Sequence, residues 1–595
     1  MKKRNNLYTI EEVINTNKIK IGITLTIFTL LICLFILLIS KSRDIQNLII
    51  SFGESLKGRS LNSEKWHERL SLLGFRNCLI TFSLATTTFG LIILYSYKQI
   101  IEESTILQKI VLFCTAILSG LFVLLILDSG NGWGGDFSEY IAQARAIVTG
   151  TIDEQVKNNS YIIANSPPML GDAVYPWGFP LLMSPFYAIF GHNIFALKIP
   201  VMICFAFTVL FCNFLFRRHF SIFQAEIATL FIAFNPVLIF FCNSSLSDIP
   251  FLCFSIITVY FCEKLYFSDK NEQLCSGICT GLFAFLAFMT RSNGIVFPCL
   301  FLTLHFIMLI YRNGKIREVM NKLGFAEFSN PNILAHVLPY LIFVALLLFQ
   351  NLILPKAGTT HSNYLHFISL KSIIRNCKYY FYIFKDYFPF GASFFFAWLI
   401  PFFCYGLIKY FLRKPVLSIY SLGVMGILIL WPGTQGIRFC FPVIPTMIIF
   451  TGLGIKDFMI LINNCKISKD AILFEFLVIV LYMALYAKTS LYINNEYGAY
   501  SKDAKELYAV IKEKTTEDDK IIFFKPRVLY LETGRLGFRT HDINRLSDAD
   551  YLVLSKDGYR TFNYEIENQY PEKTQKLKKI FENESLKCYK ILQVE

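Results

Sequence analysis

Charge is scarce in this chain, and metal-ligand patterns are missing from it. Asp, Glu, Lys and Arg make up 17% of 595 residues, against 54% hydrophobic and 16% aromatic, a balance unusual for a soluble domain with a water-facing surface. None of the sixteen cysteines forms a CxxC pair, and no Cys/His set has ligand spacing. Most cysteines fall inside apolar runs and read as small packing residues. Cys377 and Cys588 are the two expected outside the membrane, and nothing in the sequence supports a bridge between them. His192, His305, His336, His361 and His366 are assigned no role. There is no internal repeat and no low-complexity linker. The alternation of barrel strands is absent too, which leaves helices as the means of satisfying backbone groups in lipid.

What the chain does have is a series of apolar runs of about 18–22 residues, each long enough to cross about 30 Å of hydrocarbon. Spans are expected near Ile21–Ser40, Asn77–Tyr97, Ile110–Leu127, Ile194–Phe216, Gln224–Cys242, Ile249–Phe267, Leu274–Met289, Gly294–Tyr311, Ile333–Leu354, Ala392–Phe411, Val416–Trp431, Phe439–Met459 and Ala471–Ala487. Ile21–Ser40 is too long for a signal-peptide core and lacks a small-residue cleavage site, so it reads as a retained anchor. The formal charge of +14 does not indicate nucleic acid, because much of it is Lys and Arg beside the spans. Arg217-Arg218, Lys264 with Lys270, Arg312 with Lys315 and Arg317, Lys409 with Arg413-Lys414, and Lys466 with Lys469 share one side if the Gly135-Asp136 loop is on the other. The basic segment Lys41–Arg76 disagrees. Either it is interfacial and amphipathic, or the first two spans are miscounted.

Three regions are expected outside. Residues 128–193 come first, and Lys356–Phe390, with Tyr379, Tyr380, Tyr382, Tyr387 and Phe388 suited to an interfacial belt, come second. The third, 488–595, reads as a small α/β domain: a helix through Ala504, Leu507, Tyr508, Val510 and Ile511, a strand Ile521–Phe524, a helix from about Arg527, and strands Tyr551–Leu554 and Cys588–Leu592.

Candidate chemistry sits at span ends. In Gly132-Trp133-Gly134-Gly135-Asp136-Phe137-Ser138-Glu139-Tyr140, the carboxylates Asp136 and Glu139 share a helix face. The same residues fit a capping box, Asp136 at the N-cap and Glu139 at N3; a capping carboxylate can still accept a proton. Ser247-Asp248-Ile249-Pro250 offers a second acid, or a second cap with a first-turn proline. Arg291 and Arg438 fit phosphate recognition through their planar forks, or headgroup snorkelling. Lys525-Pro526-Arg527 and Arg535 are further cations, more simply read as a solvated surface. Tyr175 and Trp177 in Tyr175-Pro176-Trp177-Gly178-Phe179-Pro180 could stack on a sugar ring or belong to the aromatic belt.

Taken in order, these segments resemble the GT-C superfamily of polyprenol-phosphate-dependent glycosyltransferases, in its protein mannosyltransferase and lipid A aminoarabinose transferase branch. Gly134-Gly135-Asp136-Phe137-Ser138-Glu139-Tyr140, followed by Ala144 and Gly150, is similar to that family's first outside loop. Tyr175 through Gly191 is similar to its proline-rich signature, and Leu246-Ser247-Asp248-Ile249-Pro250 to its second acidic loop. Thr290-Arg291-Ser292-Asn293-Gly294 and Gln435-Gly436-Ile437-Arg438-Phe439 resemble its two arginine turns. The resemblance runs from about Ile110 to Ala487 and departs from the family in two extra spans before the first outside loop.

The resemblance implies a polytopic α-helical GT-C-like fold of about thirteen transmembrane helices with a small C-terminal periplasmic α/β domain. It divides the chain into an extension at 1–107 with two extra transmembrane helices, a catalytic module at 108–487 and a periplasmic domain at 488–595. It implies transfer of a sugar from a polyprenyl-phosphate donor to a lipid, glycan or protein acceptor, with inversion, at the outer face of a bacterial cytoplasmic (inner) membrane. Catalytic loop and C-terminus would lie outside. Asp136 would be the general base, Glu139 and Asp248 would support the site, and Arg291 and Arg438 would bind the donor phosphate. Tyr140, Tyr175 and Trp177 would bind acceptor or sugar. It assigns no cofactor: a divalent metal stays open, because family members differ in it. Three alternatives also stay open: a lipid-linked oligosaccharide polymerase or ligase, a transporter or flippase of glycolipids, and a non-catalytic sugar-binding membrane scaffold, which would not need Asp136. A transporter predicts pseudo-symmetric halves and mid-bilayer charges, whereas the charged candidates here sit at span ends.

Overall fold

In a computed structural model of the chain, the described residues are, apart from short gaps, 112–463 and 498–592; the gaps include 167–170, 357–367, 388–392 and 557–560. The expected spans 21–40, 77–97 and 471–487 lie outside the described residues, and 110–127 is described only in part.

Among the described residues, six helices are long and apolar enough to cross a membrane: Ile194–Arg217, Asp248–Phe267, Lys270–Thr290, Ser292–Tyr311, Ile333–Ile353 and Ile437–Phe458. Each coincides with an expected span. The helices Ser393–Tyr410 and Pro415–Leu430 are apolar but shorter in their hydrophobic reach. The expected span at 224–242 is corrected. It is two helices, Ile222–Ala233 and Pro236–Cys242, broken where the Asn235 side chain accepts from the backbone N–H groups of Val237 and Leu238. Pro236 stands in the first turn of the second piece. Proline offers no N–H to the preceding turn and its ring crowds the carbonyl four residues back, so the first helix cannot continue through it.

The bundle has a centre and a rim. Asp248–Phe267 is the most enclosed helix, with 83% of its apolar window buried, against 28% for Ile333–Ile353. The latter shows Leu341, Leu348 and Leu352 to the exterior, which suits a lipid-facing helix. Glycines let two helix pairs approach to backbone contact. A Cβ on Gly277 or Gly281 would meet the backbone of Ala335 or Pro339 on the facing helix. A Cβ on Gly406 or Gly454 would meet the carbonyls of Phe450 or Phe402. In lipid, where apolar burial alone does not drive association, such close packing holds helices together.

The segment 128–193 is not an irregular loop. It folds into Gly135–Thr149, Ile152–Ala164 and Gly178–Phe190, packed on the end of the bundle. C-terminal to the bundle lies a five-stranded sheet of order β2-β1-β3-β5-β4, with β1 at Ile521–Ile522, β2 at Gly537–Phe538, β3 at Tyr551–Ser555, β4 at Leu577–Glu582 and β5 at Leu586–Ile591. β1 is parallel to β2 and β3, and β5 runs antiparallel to β3 and β4. Helix Lys502–Lys514 covers it through Ala504, Leu507, Tyr508 and Ile511; Val510 is only half-buried. The sequence reading anticipates β1, β3 and β5 but not β2, which has two residues, nor β4, a bulged outer strand of mixed polarity. Cys377 is exposed and Cys588 is buried in β5; both are free thiols.

The sheet region is fastened to segment 128–193. Ala499 N–H donates to the Asn131 carbonyl (3.0 Å), and Trp133 packs on Phe524 and Phe523 with ring centroids 4.9 and 5.8 Å apart. His192 and Tyr500 both bond Glu532 (2.8 and 2.9 Å). Gly498, at φ 61°, turns the chain into this contact and leaves no room for a side chain against Asn131.

Gly454→Val is expected to force the Ser393–Tyr410 and Ile444–Asn463 helices apart and to lower stability by about 1–3 kcal/mol. Thermal unfolding of the purified protein in detergent checks this, and an unshifted midpoint would contradict the packing described.

Candidate active site

Helix Gly135–Thr149 starts directly after Gly134, and no side chain caps it. The expected capping box is therefore corrected. Asp136 lies in the first helical turn, and its carboxylate points elsewhere. Oδ2 accepts from Arg438 Nη2 at 2.8 Å and Oδ1 from the Tyr175 hydroxyl at 3.0 Å. Arg438 Nη1 lies 3.6 Å from Asp248 Oδ2, and Asp248 Oδ1 accepts from Arg291 Nη1 at 2.5 Å. Both guanidiniums lie over the Phe439 ring, 4.3 Å (Arg291) and 5.0 Å (Arg438) from its centroid. Ser247 does not cap the next helix either; its hydroxyl bonds the Tyr140 hydroxyl (2.7 Å) and lies 3.5 Å from Arg291.

The chain Asp136–Arg438–Asp248–Arg291 thus joins the ends of four helical segments at one end of the bundle. Asp248 is sealed, its side chain 1% exposed, whereas Asp136 keeps 37% of its side chain accessible. Burial by itself would raise the Asp136 pKa; the Arg438 charge and hydrogen bond, with the Tyr175 hydrogen bond and the Arg527 charge, hold it below the ordinary carboxylate value.

Glu139 meets a different fate one turn on. It is 2% exposed and faces Gln155, whose Nε2 is 3.4 Å from both carboxylate oxygens. Burial pushes its pKa up to about 7 despite the opposing Arg527 charge and the side chains of Gln155 and Asn159. The two acids share a helix but not a role, since Glu139 is turned away from the cavity that Asp136 lines.

That cavity, of about 150 Å³, lies between Gly135-Asp136 and the C-terminal segment, which contributes Lys525, Arg527 and Arg539. Arg527 was expected on a solvated surface and is instead 3% exposed. Its Nε donates to Asn159 (2.9 Å), Nη1 to the Tyr175 hydroxyl (2.9 Å) and Nη2 to the Asp172 carbonyl (2.5 Å). Arg535 stays within its own segment, bonding Thr515. Tyr140 is buried between Tyr175 and Phe179 and its hydroxyl pKa rises to about 12 through burial. The stacking role expected of Trp177 is corrected: the ring is fully buried and its Nε1 donates to the Pro355 carbonyl at 2.8 Å, so no face is offered to a ligand.

Sequence reading missed Lys198. Fully buried, it sits in the Ile194–Arg217 helix and donates to Asp128 Oδ1 (2.8 Å), the Asp128 and Gly130 carbonyls (2.9 and 2.6 Å) and Asn243 Oδ1 (2.9 Å). It thereby pins the approach to Asp136. A charged residue inside an apolar run was the available signal. Among the described residues no group of three or more His, Cys, Asp or Glu is placed to hold a metal ion.

Residues 174–343 match the family of dolichyl-phosphate-mannose-protein mannosyltransferases. Among solved structures, the chain is similar to ArnT from Cupriavidus metallidurans bound to undecaprenyl phosphate, at TM-score 0.50 and 11% identity over 82% of this chain and 98% of that one. Apo ArnT of the same organism gives 0.49 and 13% over the same shares. The archaeal oligosaccharyltransferase AglB from Archaeoglobus fulgidus, in complex with an inhibitory peptide and a dolichol-phosphate, gives 0.46 and 13% over 75% and 69%. No curated protein sequence matches. The family match spans residues 174–343 only, and the likeness to ArnT at TM-score 0.50 shows a shared fold.

Because Glu139 binds its proton more tightly folded than unfolded, it contributes a stability that falls as pH rises from about 4.5 to about 7. Glu139→Gln is expected to flatten that part of the stability–pH curve and to gain on the native protein at pH 8. Parallel denaturation midpoints of the two proteins across this range would contradict the assignment.

Proposed function

We propose that this protein is an inverting membrane glycosyltransferase that moves a hexosyl or pentosyl group from a polyprenyl-phosphate carrier to a hydroxyl of a cell-envelope lipid, glycan or protein. The observation that carries the reading is Asp136: an accessible carboxylate lining a cavity at the end of an apolar bundle, oriented by Arg438 and Tyr175. The family match names a polyprenyl-phosphate-linked sugar, and the ArnT structure of similar fold holds a polyprenyl phosphate. The proposed setting is the outer face of a bacterial inner membrane, with segment 128–193 and the C-terminus outside.

In the proposed reaction the acceptor oxygen attacks the anomeric carbon from the face opposite the phosphate. The bond between that carbon and the phosphate oxygen breaks, the phosphate leaves with the electron pair, and the acceptor proton passes to Asp136. Held ionised by its neighbours, Asp136 is a weak base. It takes the proton only as the hydroxyl acidifies on bonding to the sugar, late in the step. Arg438, steadied by Asp248 and backed by Arg291, offers its charge to the leaving phosphate. Tyr175 orients the base, and Tyr140 supports Tyr175 and Ser247. Glu139 acts from behind, through the packing of helix Gly135–Thr149 on Ile152–Ala164.

Mass spectrometry of envelope lipids and glycans, with and without the protein, identifies the sugar and acceptor for a reconstituted assay. In that assay Asp136→Asn is expected to lower transfer by roughly 10²–10⁴ with unchanged thermal stability; full activity would remove Asp136 as the base. Arg438→Ala is expected to raise KM for the lipid donor more than for the acceptor, and an unchanged donor KM would remove its phosphate role.

A further inference from the structure

We propose that Arg527, from the C-terminal segment, is a positioning residue for the reaction: acting through the Tyr175 hydroxyl, it holds the Asp136 carboxylate in one orientation, so the base is complete only with the C-terminal segment in place. The inference rests on the reading of Asp136 as the base of a transferase, and it names a further residue on which that base depends.

Arg527 stands in the first turn of helix Pro526–Thr533, which packs on Gly135–Thr149, the helix that carries Asp136. Asn158 Nδ2 helps to seat that helix by donating to the Tyr530 hydroxyl (2.7 Å). From there the buried guanidinium enters segment 128–193 and meets three partners in three directions: Asn159, the Asp172 carbonyl and the Tyr175 hydroxyl. A rigid planar fork serves all three at once, which the single ammonium of a lysine does not. The 171–175 turn is shaped around this contact. Gly171, at φ 94°, has no room for a side chain, because a Cβ there would come 2.7 Å from the Tyr175 hydroxyl oxygen. The guanidinium also lies 5.0 Å from the centroid of the Tyr175 ring.

Tyr175 is the link. Its hydroxyl accepts from Arg527 Nη1 at 2.9 Å and donates to Asp136 Oδ1 at 3.0 Å. The guanidinium N–H occupies one lone pair of that oxygen, so the hydroxyl hydrogen turns to the carboxylate, and a hydroxyl that accepts a hydrogen bond donates a stronger one. Oδ1 is fixed in this way while Arg438 holds Oδ2. The Arg527 charge joins Arg438 and Tyr175 in favouring the ionised form of Asp136. Tyr140 and, across the cavity, Lys525 are the other titratable groups in its field. Those around Arg527 are Tyr175, Glu139 and Asp136. The His192–Glu532 contact (2.8 Å) fastens the same two regions through other residues, which makes it a control for docking alone.

The test compares the full-length native protein in nanodiscs with Arg527→Gln, Arg527→Lys, Tyr175→Phe, the Arg527→Gln/Tyr175→Phe double variant and the control His192→Ala. Thermal melts show which variants are folded. The first readout needs no turnover. A water-soluble carbodiimide couples only to a protonated carboxyl, and peptide mass spectrometry follows its addition to the accessible Asp136 against pH. Arg527→Gln is expected to move the midpoint of labelling to higher pH, because loss of a nearby cation favours the neutral acid. Arg527→Lys moves it less, and His192→Ala leaves it in place. In the transfer assay, Arg527→Gln lowers kcat by roughly ten- to hundredfold, changes the donor KM little and shifts the acid limb of the rate–pH profile to higher pH. On the Tyr175→Phe background it lowers kcat little further. If Arg527→Gln does not fold, Arg527→Lys carries the same comparison, with smaller shifts in the same direction. An unmoved labelling midpoint, an unmoved acid limb, an equal shift in His192→Ala, or kcat losses at Arg527 and Tyr175 that simply multiply, overturns the proposal. A shifted midpoint in a protein that transfers no sugar sinks only the reaction, whereas transfer with an unmoved midpoint sinks only the role of Arg527.

Discussion

Two carboxylates and two guanidiniums, alternating as Asp136, Arg438, Asp248 and Arg291, hold the working end of this helix bundle together. Their charges balance within a few ångströms, which is what allows Asp248 to be sealed from solvent. Removing Asp248, the sealed member, would leave an uncompensated buried charge and cost about 3–5 kcal/mol, whereas Asp136 at the open end is screened by solvent. The constraint is geometric as well. The four residues come from the start of one outlying helix, the start of one span, the end of another and the turn before a fourth. Any shift between those elements opens the set. Phe439 fills the space beneath both guanidiniums and keeps their planes in place.

Around that set, environment separates residues that sequence alone treats as equivalent. Asp136 and Glu139 are acids three positions apart on one helix. One faces a guanidinium and a phenol and stays ionised; the other is buried against an amide and holds its proton to about pH 7. Such divergence between neighbouring carboxylates marks sites where acid–base roles are divided. Arg527 links the two, since its charge acts on both acids and its nitrogens tie segment 128–193 to the C-terminal sheet region. The C-terminal segment is accordingly part of the site's wall and not an appendage to it.

Much of the architecture was legible from the chain. Apolar length located the six long helices, because a span must satisfy its own backbone across the hydrocarbon and so leaves an uninterrupted run. The break at Asn235-Pro236 carried its own signal, an Asn-Pro step inside an apolar stretch, which hydropathy averages away. The site was legible as fragments. Asp136, Asp248, Arg291 and Arg438 each stood out as charge at a span end, but each had an adequate local explanation as a cap or a snorkelling cation, and nothing local says which partner a side chain will find. Trp177 shows the reverse error: an aromatic beside glycine and prolines reads as a ligand platform, yet the chain folds it inward onto Pro355.

By itself, then, the sequence determined where helices cross and where charge may reside, because those depend on composition along a continuous stretch. Only the tertiary structure decided which charges meet. It paired Asp136 with Arg438 across some three hundred positions, buried Lys198 beneath the first connecting segment, and carried Lys525, Arg527 and Arg539 from the far end of the chain to the cavity. Coulombic and hydrogen-bond energies act over a few ångströms of space, and separation along the chain carries no record of that distance.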